Sequence, residues 1–405
     1  MIRIHRLVSL LAVALALAGA SPTVAQAQQK YGPGVSDSEI KIGNTAPYSG
    51  PASAYGAAAI SELAYFKMLD EQGGVNGRQI TMISLDDGYS PPKTVEQMRR
   101  LIESEGVLLV VNPVGTPGNS AVYRYLNQRK VPHLFVGSGA SKFNDPEHYP
   151  WTMSWTPHYV SEGRIYAHYL LQVKPDARIA ILAQDDDLGK DYIQGLKEGL
   201  GDRAAKMIVE EATYEVTDPT VDSQIVSLQA SGADVFVNVA TPKFSAQAIR
   251  RAYDIGWHPL QFVVSIGSSI AGAIRPAGFE RAKGVISAAY QKDPHDPQWQ
   301  NDPGFKAWNA WMDKYNPTVD KSDYYAVYGY NIGMALSEVL RRCGNDLTRE
   351  SVMRQASHLD LELPMLLPGI HVKTSPTDLR AIKQMRLVRF DGERWVLFGD
   401  VIEGY

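Results

Sequence analysis

Four features of this chain invite a catalytic or metal-binding reading. The stretch "DDDLGK", Asp185 to Lys190, follows an apolar run and sets three carboxylates beside an amine, the composition of a metal or phosphate site. Neither template fits. A P-loop needs glycine where Gln184 stands, five before Gly189, and Ser or Thr where Asp191 stands, and the Gly and Glu spacing of a calcium loop is missing. The stretch reads as a solvated strand-end loop that caps the next helix. The 9 histidines show no HExxH or similar pairing, so neither a metal nor a cofactor is expected. Cys343, the only cysteine, has no disulfide partner and lies in the helical run "MALSEVLRRCGN", where it reads as a small apolar residue before Gly344. "VGSGAS", Val136 to Ser141, has no GxSxG elbow and no nearby His/Asp pattern, so Ser138 and Ser141 are not nucleophiles. No residues carry an enzyme's chemistry, and catalysis is not expected.

What these loops offer instead is a surface for binding. "VGSGAS" ends a strand with small residues, whose backbone N–H groups are uncrowded, and with two hydroxyls, an anion-binding nest. "PVGTPGNSA", Pro113 to Ala121, is a second such loop, and the helix after it would point its N-terminus at the same crevice. The first, "GNTAPYSGPASAYG", Gly43 to Gly56, sets two tyrosines among glycines, prolines and small hydroxylated residues, more than a plain connection needs. Three consecutive strand ends with such loops point to one shared crevice at the carboxyl ends of a parallel sheet.

The elements that must position these loops form two series. From Ile40 to about Val136, strand-like runs ("EIKIGN", "QITMISLDD", "VLLVVNP", "VPHLFVG") alternate with amphipathic helical runs ("SELAYFKMLDEQ", "KTVEQMRRLIESE", "SAVYRYLNQR"). A helix candidate, "YVSEGRIYAHYLLQV", leads into a second series of the same kind, from "ARIAILAQ" to "LQFVVSI". The class is α/β: two Rossmann-like lobes with parallel sheets. The Pro/Asp-rich segment after "KGVISAAYQ" reads as a crossing between lobes, and "MRLVRFDGERWVLFGDV" as a hairpin with an Asp-Gly turn. The expected division is residues 38–157 plus about 292–370 for the first lobe and 158–291 plus about 371–405 for the second. Several crossings would make a hinge.

The first residues have the form of a secretory signal peptide: Arg3, His5 and Arg6, an apolar run from Leu7 to Ala18, then Ala25-Gln26-Ala27. Cleavage near Ala27 is expected, giving an exported product of the periplasm, with no cysteine there for a lipid anchor and no run long enough to insert in a membrane. The full chain has 40 basic and 44 acidic residues; removing Arg3 and Arg6 leaves 38 against 44. With no basic face, nucleic acid is not an expected partner.

The order of "IKIGNTAPYSGPASAYG", "LDEQGGVNGRQITMISLDDGYSPPKTVEQMRRLI", "VPHLFVGSGAS" and "ARIAILAQDDDLGKDYIQGLKEGL" resembles the leucine/isoleucine/valine-type periplasmic binding proteins of ABC importers, over essentially the whole chain after the leader. The resemblance implies two lobes joined by three strands, closing on a small-molecule ligand like a flytrap, with an inner-membrane ABC permease as partner and a monomeric chain. It places Tyr48, Ser49 and Tyr55 at the cleft, and Thr116 with the loop Ser138, Gly139, Ala140, Ser141 where the family holds a ligand carboxylate. Thr241 and Tyr328 complete the candidate set. The departures matter as much. The family's amino-acid binders hold the ammonium with an acid after "LQFVVSI", where this chain has Ile266; a second acid falls near His158 or Tyr159; the tyrosine of the "DDDLG" loop is replaced by Leu188. A buried ammonium without a carboxylate costs several kcal/mol. With Trp151, Trp155 and Tyr159 near the crossing, the expected ligand is a planar organic acid such as a benzoate or cinnamate. The alternatives are a branched-chain or other amino acid, or an amide, and, for the role, presentation to a sensory receptor rather than a permease.

Overall fold

The computed structural model describes residues 30–404; the leader and its cleavage point lie outside the described residues. The first sheet is built from β1 (Glu39–Ala46), β2 (Gln79–Asp86), β3 (Leu109–Val111), β4 (His133–Val136) and β5 (Thr152–Ser154). Their order is β2-β1-β3-β4-β5, parallel throughout. The second contains β6 (Ile179–Gln184), β7 (Ile208–Tyr214), β8 (Val235–Val239), β9 (Leu260–Val263), β10 (Ile286–Ala289), β11 (Gln384–Phe390) and β12 (Trp395–Glu403). Its order is β12-β11-β10-β9-β8-β6-β7, parallel except for β11, which is antiparallel to both of its neighbours, β10 and β12. In each sheet the opening strand of the series lies inside its successors: β1 sits between β2 and β3, and β6 between β7 and β8. Connections leave the two sides of that strand toward opposite faces, and a crevice opens at the carboxyl ends.

The central strands β3, β4, β6 and β8 are buried along their whole length. They are near-continuous apolar runs because helices cover both faces, which removes any reason for alternation. Those helices include α1 (Gly56–Glu71), α2 (Pro91–Arg99), α3 (Thr116–Gln128), α4 (Tyr159–Val173), α5 (Asp187–Leu200), α6 (Asp222–Ala230), α7 (Pro242–Asp254), α8 (Pro303–Tyr315) and α9 (Tyr324–Cys343). The late helix α9 packs on α1, which returns the C-terminal third of the chain to the first lobe. Cys343, at its buried end, has its thiol pushed up to about 11 by burial, which makes it a poor nucleophile.

The chain passes between the sheets three times: from β5 to α4, from β10 to α8, and from the segment after residue 370 to β11. On the third passage, Leu379 N–H donates to Asn144 Oδ1 (3.0 Å) and Ala381 N–H to Ser154 O (3.2 Å), both first-lobe partners. The return to the second sheet therefore starts at Gln384, later than the position near 371 read from the sequence, because residues 371–383 have no alternating pattern to mark the change. The terminal hairpin forms where the Asp-Gly turn predicts it, pairing Phe390 with Trp395. Among the described residues no helix is long and apolar enough to cross a membrane.

Candidate functional site: a tyrosine-lined cleft between the lobes

Strand ends of both sheets, the crossings and the start of α9 converge on one gap. The loop after β1 ends in a short turn, Ser53–Tyr55, that delivers the Tyr55 ring. The loop after β2 holds Tyr89 at φ 61°, a left-handed conformation that costs a bulky residue energy and is fixed by its N–H bond to Asp87 Oδ1 (2.9 Å). Its ring lies across Gly115, where a Cβ would come within 2.4 Å of it, so any larger residue at 115 would displace Tyr89. The second lobe contributes Leu188 from the start of α5 and Ile266 from the turn after β9; the crossings add Thr156, Tyr159 and Tyr290, and α9 adds Tyr324, Tyr325 and Tyr328. The empty space among them, part of it open to solvent, is about 410 Å³.

The lining contains no charged side chain. Its rings meet edge to face, Tyr55 on Tyr325 at 5.0 Å and Tyr325 on Tyr328 at 5.8 Å between centroids, which leaves ring edges and faces for a planar guest. Burial pushes the Tyr55, Tyr89, Tyr325 and Tyr328 phenols well above 10, so all four stay protonated and can donate. Two of them tie the lobes together: the hydroxyls of Tyr325 (2.6 Å) and Tyr55 (3.5 Å) donate to the carbonyl of Ile266. Tyr328 donates to Asn112 Oδ1 (3.0 Å), and Asn112 in turn donates to the buried Glu62, whose carboxyl is raised well above its ordinary range by burial.

At the first-lobe end of the gap, the hydroxyls of Thr116 and Ser138 lie 2.8 Å apart. The Tyr159 hydroxyl sits against them and the Gly139 backbone, and these contacts only partly offset the burial that raises it to about 12. A Cβ on Gly139 would come within 2.1 Å of Pro157 O and 2.8 Å of the Tyr159 ring, so the close approach of loop and crossing needs glycine there. Of the three, Tyr159 lines the gap, while Thr116 and Ser138 are buried directly behind it, so this is where hydroxyl groups cluster beside the cleft.

Of the residues singled out in the sequence, Tyr55, Tyr159, Leu188, Ile266 and Tyr328 line the gap, and Thr116, Ser138 and Gly139 stand at its end. Ala140, fully buried, donates its N–H to Ser138 Oγ at 3.2 Å and so shapes the loop. The remaining six lie elsewhere. Ser141 is engaged across the cleft: its N–H (2.6 Å) and hydroxyl (3.2 Å) donate to the Asp191 carboxylate on α5, so a carboxylate of the protein occupies the donors expected to hold the ligand's. Beside it, Lys142 pairs with Asp187 at 2.5 Å. The Tyr48 hydroxyl bonds Ser84 Oγ (2.5 Å), and exposed Ser49 donates to Asp86 Oδ2 (2.6 Å), so both brace the rim of β2. Trp155 is fully buried against Phe135, as core packing explains. His158 stands at the N-cap position of α4 without a side-chain capping bond, half-buried, with its Nε2 atom buried and unpartnered. Thr241 lies one layer back, 3.3 Å from the Tyr214 hydroxyl.

Sequence reasoning missed Tyr89, Tyr290, Tyr324 and Tyr325. The strand-end rule could have found Tyr89, which follows β2 directly, and Tyr290, which follows β10. It also missed that the acid at the crossing helix is Glu162, one turn beyond His158. That carboxylate does not reach the gap, because it accepts from Tyr166 (2.5 Å), Tyr192 (2.8 Å), and Ser265 N–H and hydroxyl (both 2.7 Å), fixing the turn that presents Ile266. Asp186, next to the lining, accepts from Gln184 Nε2 (2.7 Å) and Leu188 N–H (2.9 Å), and burial lifts its carboxyl to about 6.

Two α/β lobes with a closed-over, uncharged cleft at their switch points define a binding protein for small molecules. The chain belongs to the periplasmic binding protein family, whose model matches residues 39–394. It is 24% identical over 292 residues to the Leu/Ile/Val-binding protein homolog 7 of Brucella suis, covering 70% of this chain and 68% of that one. A branched-chain amino acid ABC transporter protein from Thermus thermophilus, solved with bound valine, shares the fold with a TM-score of 0.80 at 16% identity, covering 91% of this chain and 97% of that one. A solute-binding protein of an ABC transporter from R. palustris, solved in complex with benzoate, matches with a TM-score of 0.76 at 17% identity over 90% and 98% of the two chains.

Proposed function

We propose that this chain is the extracytoplasmic solute-binding component of an ABC importer and that it carries a small aromatic carboxylate between lobes that close on it. The observation that carries the ligand class is the lining: mostly neutral tyrosines and no charged side chain, with Tyr159 backed by the buried hydroxyls of Thr116 and Ser138 at the first-lobe end. The ring of the ligand would lie among the tyrosine edges and its carboxylate at that end. An α-amino acid would bury its ammonium with no free carboxylate in the lining, at a cost of several kcal/mol. The neighbour solved with benzoate supports the aromatic reading. The relatives named for leucine, isoleucine and valine and the neighbour solved with valine favour a second reading, in which Asp186 turns from Gln184 to meet an ammonium.

A thermal-shift panel of aromatic acids, short aliphatic acids, amides and amino acids tests this. A ligand at 100 times its dissociation constant stabilises the fold by about 2.7 kcal/mol, an easily read shift. The largest response is expected from benzoate or cinnamate. Micromolar binding of leucine with no response to aromatic acids would replace this reading with the second.

A further inference from the structure

A second seam, built from other elements than the Ser141–Asp191 contact, joins the lobes at the start of α9. Arg275, in the second-lobe segment between β9 and β10, donates from Nη1 to Asp320 Oδ2 (2.6 Å) and from Nη2 to Ser322 Oγ (2.8 Å), both on the first-lobe loop 316–323 between α8 and α9. Ser269, in the same second-lobe segment, donates its hydroxyl to Asp323 Oδ1 at 3.1 Å. Asp323 caps α9, accepting the Tyr325 N–H on that same oxygen at 3.0 Å.

The two acids of this seam stand in different surroundings. Asp320, although partly desolvated, is held at about 2 by bonds from Ser322 and Arg275. Asp323 is only 9% exposed, and the cations beside it are engaged elsewhere: the Arg275 fork is spent on Asp320 and Ser322, and Lys321 turns to Asp313 (2.6 Å) and Asn309 (2.8 Å) on α8. Burial raises its carboxyl to about 6, the Asp320 charge adds to the rise, and the Tyr325 N–H, the Ser269 hydroxyl and the Arg275 charge oppose it only in part. The second lobe supplies Ser269 and Arg275, so parting the lobes removes both and admits water to Asp323, returning it toward the ordinary carboxylate value of about 4. A group that holds its proton more tightly in one of two states draws the equilibrium to that state as pH falls.

We propose that lobe closure is proton-coupled at this seam: Asp323 takes a proton from solvent as the second lobe comes down on it and gives it back as the lobes part, so mild acidification favours the closed form. The coupling belongs to the seam and not to the cleft, and holds whatever the cleft carries. Asp320, already ionised far below this range, keeps its bond to Arg275 throughout and leaves the titration to Asp323.

The test uses the full chain without ligand, carrying a dye pair on Lys67→Cys of α1 and Ser227→Cys of α6, exposed positions on the two lobes, the native Cys343 being buried. Single-molecule energy transfer then counts closed and open chains between pH 7 and pH 5. With Asp323 in place the closed-to-open ratio should rise about five- to tenfold over that range, most of it below pH 6. Asp186, which burial lifts to about 6, Asp191, which burial also raises, and His158, which burial lowers to about 4, titrate on their own account. The comparison is therefore with Asp323→Asn, which keeps the capping oxygen and cannot ionise: its rise should be at least about fivefold smaller, and its ratio at pH 7 should already exceed that of the parent. Asp323→Ser, another good cap, serves if that variant fails to fold. The proposal is overturned if the parent's ratio is the same at pH 5 and pH 7, if it falls on acidification, or if Asp323→Asn responds to pH as steeply as its parent.

Discussion

Asp191→Ala should weaken every cleft ligand alike. In the closed arrangement the Asp191 carboxylate, on α5 of the second lobe, accepts two bonds from Ser141 on the first, at 2.6 and 3.2 Å. Hydrogen bonds to a charged group contribute about 1.5–3 kcal/mol. Part of that is offset, because burial raises the Asp191 carboxyl more than the Ser141 bonds lower it. The neighbouring Lys142–Asp187 pair is about a third exposed on both sides and adds little. The net loss to the closed state is then ~1–2 kcal/mol, a factor of about 5–30 in apparent affinity if tight binding requires closure. Calorimetric titration of benzoate, and of benzamide as a neutral partner, would read this directly, with small-angle scattering reporting a larger average radius for the variant. Ser141→Ala should give a smaller loss in the same direction. A loss confined to the acid would mean that Ser141 touches the ligand, and a change under about twofold for both would remove the latch from the account.

Two further outcomes follow from the same contacts. Gly139→Ala forces a Cβ onto Pro157 O and the Tyr159 ring; it should lower the melting temperature and weaken aromatic acids at least about fivefold through overpacking worth ~1–3 kcal/mol, and unchanged binding in a calorimeter would refute the contact. His158 is neutral in the folded protein because burial, with Arg380 nearby, lowers it to about 4. As pH falls below about 6.5 the unfolded chain gains a proton that the folded chain does not, so stability drops by up to about 1.4 kcal/mol per pH unit until about pH 4. Denaturant melts of wild type and His158→Gln across that window should show wild type losing more on acidification; parallel curves would show that the imidazole is not held neutral.

Local pattern carried much of this architecture. The run "YVSEGRIYAHYLLQV" is the helix Tyr159–Val173, with apolar spacing and a capping position at its start, and "EIKIGN" alternates at its start, where Glu39 and Lys41 are partly open to solvent and Ile40 and Ile42 are buried. Loop chemistry was legible where it follows directly on a strand, as at Thr116, Ser138 and Gly139. The rest depends on contacts between distant segments. Ser141 reads as a ligand donor until Asp191, 50 residues on, is brought against it. Tyr324 and Tyr325 reach the cleft only because α9 packs back on α1, and nothing local in "DYYAVYGY" reports that. Trp155 looked like a cleft aromatic because its neighbours are polar and aromatic, yet its ring turns into the core beside Phe135.

The most direct test of the central claim is a pair of calorimetric titrations with 3-phenylpropanoate and L-phenylalanine, which share a ring and a carboxylate and differ by one ammonium group. A lining without a charged side chain gives that ammonium no partner, and leaving it unpaired costs several kcal/mol. 3-Phenylpropanoate is expected to bind at least about 100-fold more tightly. Equal affinities, or tighter binding of phenylalanine, would contradict it and place a free carboxylate in the cleft.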